Sequence, residues 1–379
     1  MIASTVLDII RHEIQKSGVL PFARFMELAL YCPYCGYYET KVDIGRRGDF
    51  YTIVSAGELF GQLLAFRFSG WLEEMRSAES GVRIVEAGAH NGQLAKDILA
   101  WLQLKRPKLF EQITYSIIEP SARRQERQRE TLKRFANVLW FANFQSMASS
   151  TLHSALRTPH LNGVIFSNEL LDAFPVHRFD WDAKEKKWFE WGVAVDGDKI
   201  VWTKIQNPHS ALRTQQLELP SSILHLPPSL LAVLPDGYTI ETSPAAEDWW
   251  RNAAGILERG WLMTLDYGLT ADELFSPARP RGTLRAYFRH RISDDVLANP
   301  GEQDITAHVN FSAIQNAGED CGLKTEYFGS QAKFLTEILA AADKTKSLGD
   351  WGAKQTRQFQ TLTHPEHLGR AFRVLVQSR

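Results

Sequence analysis

Cysteine is scarce in this chain, with three in 379 residues, which excludes a disulfide-built scaffold and suits a reducing compartment. An excess of one charge is also missing. Lysines and arginines number 43 and aspartates and glutamates 44, so no overall field draws the protein toward nucleic acid or an anionic membrane, and neither is expected as a partner. No stretch of about 18 uncharged apolar residues occurs, so no membrane-spanning helix is expected. The opening "MIASTVLDIIRHEIQKSG" lacks a basic start, a compact apolar run and a small-residue cleavage site, and it carries Asp8 and Glu13, which organelle transit peptides avoid. It reads as an amphipathic helix, and the expected location is cytoplasmic. Internal repeats and low-complexity tracts are absent as well.

What is present is apolar residue: 44% of the chain, enough for one large elaborated domain or a core with a smaller attachment. Cys32 and Cys35 do form a CxxC. A redox pair should follow a strand and open a helix, whereas Pro33 and Gly36 mark a turn after the helical "FARFMELAL". A zinc site needs two further ligands, which Cys321 alone does not supply, so we read two turn cysteines and no metal site.

Apolar spacing predicts helices near 2–16, 21–31 and 57–77, with a long glycine- and charge-rich loop, "DIGRRGDFYTIVSAGELFG", before the last. From residue 82 the rhythm becomes strand then helix: "VRIVEAG" and 91–105, "ITYSIIEP" and 121–134, "NVLWFAN", then "LNGVIFSNE" and a helix at 169–174. The strands are continuous apolar runs, which suits a parallel sheet covered on both faces, so the expected class is α/β, a doubly wound Rossmann-like core. Between 175 and 205, alternating aromatic and polar segments read as antiparallel hairpins, with Gly197 in a tight turn. Their exposed aromatics offer an interface for a homodimer. "GYTIE", a helix at 245–257, the strand "GWLMTLDYG" and a terminal strand "RAFRVLVQS" then resume the core. The expected organisation is a helical region at 1–80 and a core at 81–379, interrupted at 176–236 by a β insertion.

In such a sheet, ligands sit beyond the C-terminal strand ends. There the stretch "VEAGAHNGQLAKDIL" places Glu86 at the end of a strand and Gly88 in the turn, with His90 where a dinucleotide-binding turn has its middle glycine. A pyrophosphate needs that glycine; S-adenosyl-L-methionine carries no phosphate and needs an acid for its cationic amino-acid end and close backbone approach. The turn Glu86, Gly88, Ala89, His90 and Gly92 therefore favours S-adenosyl-L-methionine. Glu119, ending the second strand, suits a ribose diol. Asn143 is placed either beside adenine or in an ordinary loop. Asn168, Glu169 and Asp172 cluster at the fourth strand end, read either as helix capping or as functional groups on one helical face.

The ordered blocks "PFARFMELALYCPYCGYY", "GRRGDFYT", "ELFGQLLA", "VEAGAHNGQLAKDIL", "SNELLDAFPVHRF", "LDYG", "RGTLRAYFRHR" and "DITAHVNF" resemble the MidA-like family of class I methyltransferases over residues 15 to about 315. The resemblance implies methyl transfer from S-adenosyl-L-methionine, with a protein arginine as acceptor. It further implies that the "GRRGDFYT" loop joins the cofactor pocket, making Asp49 and Thr52 binding candidates. Asn168 counts with the cofactor set, and Glu169 and Asp172, the paired acids at the strand end, are expected to grip the acceptor. The family turn reads acidic-x-Gly-x-Gly-x-Gly, and this chain departs from it at His90. Two other readings stay open: a small-molecule acceptor, and a non-catalytic assembly protein that keeps the fold.

Overall fold

A computed structural model describes residues 5–41, 53–75, 81–151, 161–205, 233–288, 291–349, 351–365, 368–369 and 371–379. The chain forms two compact units, each assembled from three segments. One comprises Tyr51–Asp172, Glu247–Gly268 and Phe311–Arg379; the other comprises Met1–Phe50, Ala173–Ala246 and Leu269–Asn310.

The first unit is built on strands β1 (Val82–Ala87), β2 (Ile113–Ile118), β3 (Val138–Phe141), β4 (Leu161–Asn168), β5 (Leu257–Leu269), β6 (Lys324–Ser330) and β7 (Phe372–Ser378). Their order across the sheet is β6-β7-β5-β4-β1-β2-β3. Neighbours from β5 to β3 are parallel, and β7 is antiparallel to both β5 and β6. This is the expected doubly wound α/β sheet, with strand order reversing on either side of β1 and β4. Four of the six residues of β1 and of β2 in succession are buried, as continuous apolar runs demand when helices cover both faces. Gly163 lets β4 approach β1 closely, because its φ is +152° and a Cβ there would be driven into the Arg83 carbonyl oxygen. The strand β6 carries half-buried polar residues and gives no clear apolar run, which is why the sequence reading passed over it.

Helix α1 (Leu59–Glu74) is apolar around most of its circumference, and Leu59, Phe60, Leu63, Leu64, Phe68, Trp71 and Leu72 are all buried. Phe68 meets Phe166 of β4 at 5.0 Å between ring centroids, and Trp71 stacks on Trp261 of β5 at 5.0 Å. Each such buried side chain contributes roughly 1.5–3 kcal/mol relative to exposure. Helices α2 (Gln93–Lys105) and α3 (Ala122–Leu132) complete the parallel half.

The second unit opens with helix Val6–Ser17, started by a Thr5–Asp8 capping box, and helix Phe22–Tyr31. Its main sheet pairs His177–Asp182, Lys187–Asp196 and Lys199–Lys204 as antiparallel hairpins, with Gly197 at φ +55° in the predicted turn. Leu20–Pro21 adds to Lys187–Asp196. One expectation fails here: Thr239–Thr242, the "GYTIE" segment, pairs with His177–Asp182 and does not return to the core sheet. An isolated five-residue apolar run carries no signal for which sheet it joins. Among the described residues, no helix is long and apolar enough to cross a membrane.

Candidate functional site

Three turns converge at the C-terminal ends of β1, β2 and β4. At the end of β1, Glu86 is 3% exposed, and its carboxylate accepts a 2.6 Å hydrogen bond from the Tyr115 hydroxyl of β2. Burial pushes the Glu86 carboxyl up to about 7, and the nearby charge of Asp97 adds to this while the Tyr115 bond opposes it. A carboxylate so starved of water has a strong affinity for a cation. Asp97, bonded by Gln93 Nε2 at 2.7 Å, is itself pushed up to about 6, chiefly by burial.

Gly88 follows at φ +74°, and a Cβ there would stand 2.8 Å from Leu170 Cδ1, so its missing side chain admits the turn after β4. Ala89 is buried. His90 is left-handed at φ +46°, a conformation that costs a non-glycine residue about 1 kcal/mol or more. Its carbonyl is held by Gln128 Nε2 at 3.0 Å. Gly92 at φ +81° closes the turn, donating to Ala89 O at 2.6 Å, and α2 starts at Gln93. The turn thus keeps the backbone shape of a glycine-rich cofactor loop with histidine at one left-handed position.

Glu119, just past β2, is 2% exposed. Its Oε1 accepts from Ser121 N at 2.9 Å and from Arg124 Nε at 2.9 Å, with Arg124 NH2 in ion-pair contact at 2.8 Å, and its Oε2 accepts from Gln128 Nε2 at 3.2 Å. Burial pushes the acid up, and Arg124 opposes it. Of about four lone-pair sites on a carboxylate, the one left is on Oε2, so a ribose diol meets one open site where two were expected.

Gln128 was missed at the sequence level, where "RRQERQRETLKR" reads as a surface helix. It is fully buried, and its amide ties the β1 turn to Glu119 while its Oε1 accepts from Trp140 Nε1 at 3.1 Å. The available signal was its four-residue spacing from Leu132, the one aliphatic residue of that helix large enough to mark a buried face. Asn143 is exposed, and its Oδ1 accepts from Ser146 N at 2.8 Å, so it caps helix Phe144–Thr151. Asp49 and Thr52 lie outside the described residues.

After β4 the expected helix at 169–174 does not form. Glu169 is left-handed at φ +49°, and only a single 3-10 turn, Leu171–Ala173, follows. Glu169 and Asp172 therefore do not share a helical face; what brings them to one turn is the chain reversal. Glu169 N donates to Leu265 O of β5 at 3.0 Å, and Glu169 Oε1 accepts from Ile53 N at 2.9 Å and Asn168 Nδ2 at 3.1 Å. Asn168 Oδ1 is buried with no partner. Asp172 is 8% exposed. The oxygen that meets the N–H groups at the start of the turn comes from Asp266 of β5. That side chain is fully buried, and its Oδ2 accepts from Leu170 N at 3.1 Å and Leu171 N at 2.8 Å. The sequence reading quoted "LDYG" without assigning this residue a role; an acid closing an apolar strand was its signal.

A family model of S-adenosyl-L-methionine-dependent methyltransferases matches residues 63–329. The protein arginine methyltransferase NDUFAF7 homolog, mitochondrial, of Drosophila melanogaster is 26% identical over 390 residues, covering 97% of this chain and 83% of the relative. The mitochondrial NDUFAF7 of Danio rerio is 27% identical over 335 residues, 84% of this chain and 73% of the relative. A protein of Burkholderia thailandensis described as a methyl transferase, solved bound to S-adenosyl-homocysteine, superposes with a TM-score of 0.77 at 30% identity, covering 99% of this chain and 92% of that one. The expectation of a cytoplasmic location is corrected by these relatives, which are named as mitochondrial proteins.

Proposed function

This chain belongs to that family of S-adenosyl-L-methionine-dependent methyltransferases, and we propose that its acceptor is an arginine side chain of a protein, gripped by Glu169 and Asp172. When bound, S-adenosyl-L-methionine supplies a methyl group already activated by the positive sulfur to which it is attached. The residues present fit it. A water-starved acid, Glu86, answers its ammonium; the orphaned Asn168 Oδ1 answers a hydrogen-bond donor; and Glu119 Oε2 answers a ribose hydroxyl. Gly88 brings the β1 and β4 turns together beside them.

The chain's own task is to align the acceptor nitrogen and to exclude water. A guanidinium adds a demand, because it is protonated at neutral pH and its lone pair is delocalised. A carboxylate oxygen that accepts from its planar fork of donors orients one nitrogen and takes up the proton released on attack. The observation that carries this role is the left-handed turn at Glu169. It projects an acid from the strand end, and two N–H donors fix the direction of its Oε1. The names of the relatives supply the acceptor class.

Glu169→Gln tests it. Calorimetry should give an S-adenosyl-homocysteine affinity within about threefold of the parent. Transfer of labelled methyl to lysate proteins should fall roughly a hundredfold or more, in line with loss of a positioned base. Mass spectrometry of the labelled fraction should place the methyl on arginine. Unchanged transfer would remove Glu169 from this role, and label confined to small molecules would remove the protein acceptor.

A further inference from the structure

We propose that Asp266 is a positioning residue of the transfer reaction: it caps the turn after β4 from the neighbouring strand and so fixes the direction in which Glu169 presents its carboxylate. This rests on the acceptor-binding role of Glu169 argued above.

The first N–H groups of any helical turn have no partner within it, and the residue just before the turn usually supplies an oxygen from its own side chain. Here the residue before the turn Leu171–Ala173 is Leu170, which has no side-chain oxygen, and the carboxylate of Glu169 before it is aimed at Ile53 N and Asn168 Nδ2. The orphan donors, Leu170 N and Leu171 N, are met instead by Asp266 Oδ2, while Asp266 Oδ1 accepts from Tyr267 N at 2.8 Å. Glu169 is consequently clamped on both sides. Its own N–H donates to Leu265 O, and the next two N–H groups donate to the adjacent residue of the same strand.

This clamp explains why a non-glycine residue persists at φ +49°, and why Asp266 tolerates complete burial although burial pushes its carboxyl up to about 7. An acid that held the turn for stability alone would be replaceable by any local capping side chain. A cap delivered across the sheet leaves Glu169 at liberty to point elsewhere, which is its use. Leu170, whose N–H the same oxygen holds, fills the space that Gly88 leaves open, so the clamp also keeps the cofactor turn in register.

The isosteric Asp266→Asn must turn its N–H₂ either toward Tyr267 N or toward the pair Leu170 N and Leu171 N, and with the charge gone every one of these bonds is weakened. The test is a double-mutant cycle with Glu169→Gln. Its readouts are the initial rate of labelled methyl transfer from S-adenosyl-L-methionine to proteins of a lysate from cells lacking the gene, the S-adenosyl-homocysteine affinity, and hydrogen exchange of the 165–176 segment. D266N should accelerate exchange at Leu170 and Leu171, leave the affinity within about threefold, and lower transfer at least tenfold. In the E169Q background it should lower transfer by no more than about twofold further, because both changes act through one carboxylate. Should D266N not fold, Asp266→Ser is read in the same cycle.

Multiplicative effects, or D266N at the parent rate while E169Q is impaired, would overturn the role of Asp266 alone. E169Q at the parent rate, or a parent protein that labels no lysate protein, would overturn the acceptor reading and this inference with it.

Discussion

Replacing Glu86 by glutamine should stabilise the protein while weakening its grip on the cofactor. Glu86 is 3% exposed and its carboxyl is pushed from an ordinary 4.5 up to about 7. A carboxyl raised in the fold contributes stability that is fully present below the unfolded value and is lost as pH rises through the folded value. The interval, 7 minus 4.5, is about 2.5 pH units, and at about 1.36 kcal/mol each this is about 3 kcal/mol. Glutamine keeps the shape and an oxygen for the Tyr115 hydroxyl but never ionises. The stability of E86Q relative to the parent should therefore be nearly constant below about pH 4.5, rise between there and pH 7, and level off about 3 kcal/mol higher. Asp266 titrates over the same interval but is common to both proteins, so it cancels in the difference. Urea unfolding near pH 4 and near pH 8 measures that difference. Calorimetry should show S-adenosyl-homocysteine bound roughly ten- to a hundredfold more weakly, the loss of a charged hydrogen bond. Parallel pH curves for the two proteins would refute the reasoning, since Glu86 would then not be ionising against its burial.

Two further outcomes follow from close contacts elsewhere. Gly163→Ala would drive a methyl group into the Arg83 carbonyl oxygen of the central sheet, so the variant should be insoluble or lose its cooperative thermal transition; a parent-like melting curve would contradict the strand spacing. The Cys32 and Cys35 sulfurs lie 3.0 Å apart, and burial pushes the Cys32 thiol up to about 12, so near pH 8 iodoacetamide should modify half-buried Cys35 and spare Cys32 in the native protein. Equal labelling by peptide mass spectrometry would count against that burial.

The parallel half of the sheet was legible because β1, β2 and β4 are predominantly apolar and bury at least four consecutive residues each, and the first turn because glycine at two left-handed positions marks it. What escaped was side-chain supply across the sheet. The pattern "SNELLDA" carries both caps and acids, and pattern alone left capping by its own residues open beside a functional role; the oxygen that caps it comes from Asp266, some 95 residues further on. Gln128 escaped for a related reason, since a polar residue among arginines reads as solvated unless the three groups its amide satisfies are known to converge. The hairpins of 177–204 were readable from alternation, whereas the partner of Thr239–Thr242 was not, because pairing between distant segments leaves no trace in local spacing.

The interleaving of the two units bears on how the protein can be made and dissected. The chain passes from one unit to the other after Phe50, Asp172, Ala246, Gly268 and Asn310. Neither unit is encoded by a continuous stretch, so no single cut of the gene yields either one intact. The all-antiparallel unit lacks its last segment until translation has passed residue 310. The sheet carrying the site lacks β7, which lies between β5 and β6, until translation has passed residue 378. A truncation before residue 372 therefore removes an interior strand of that sheet.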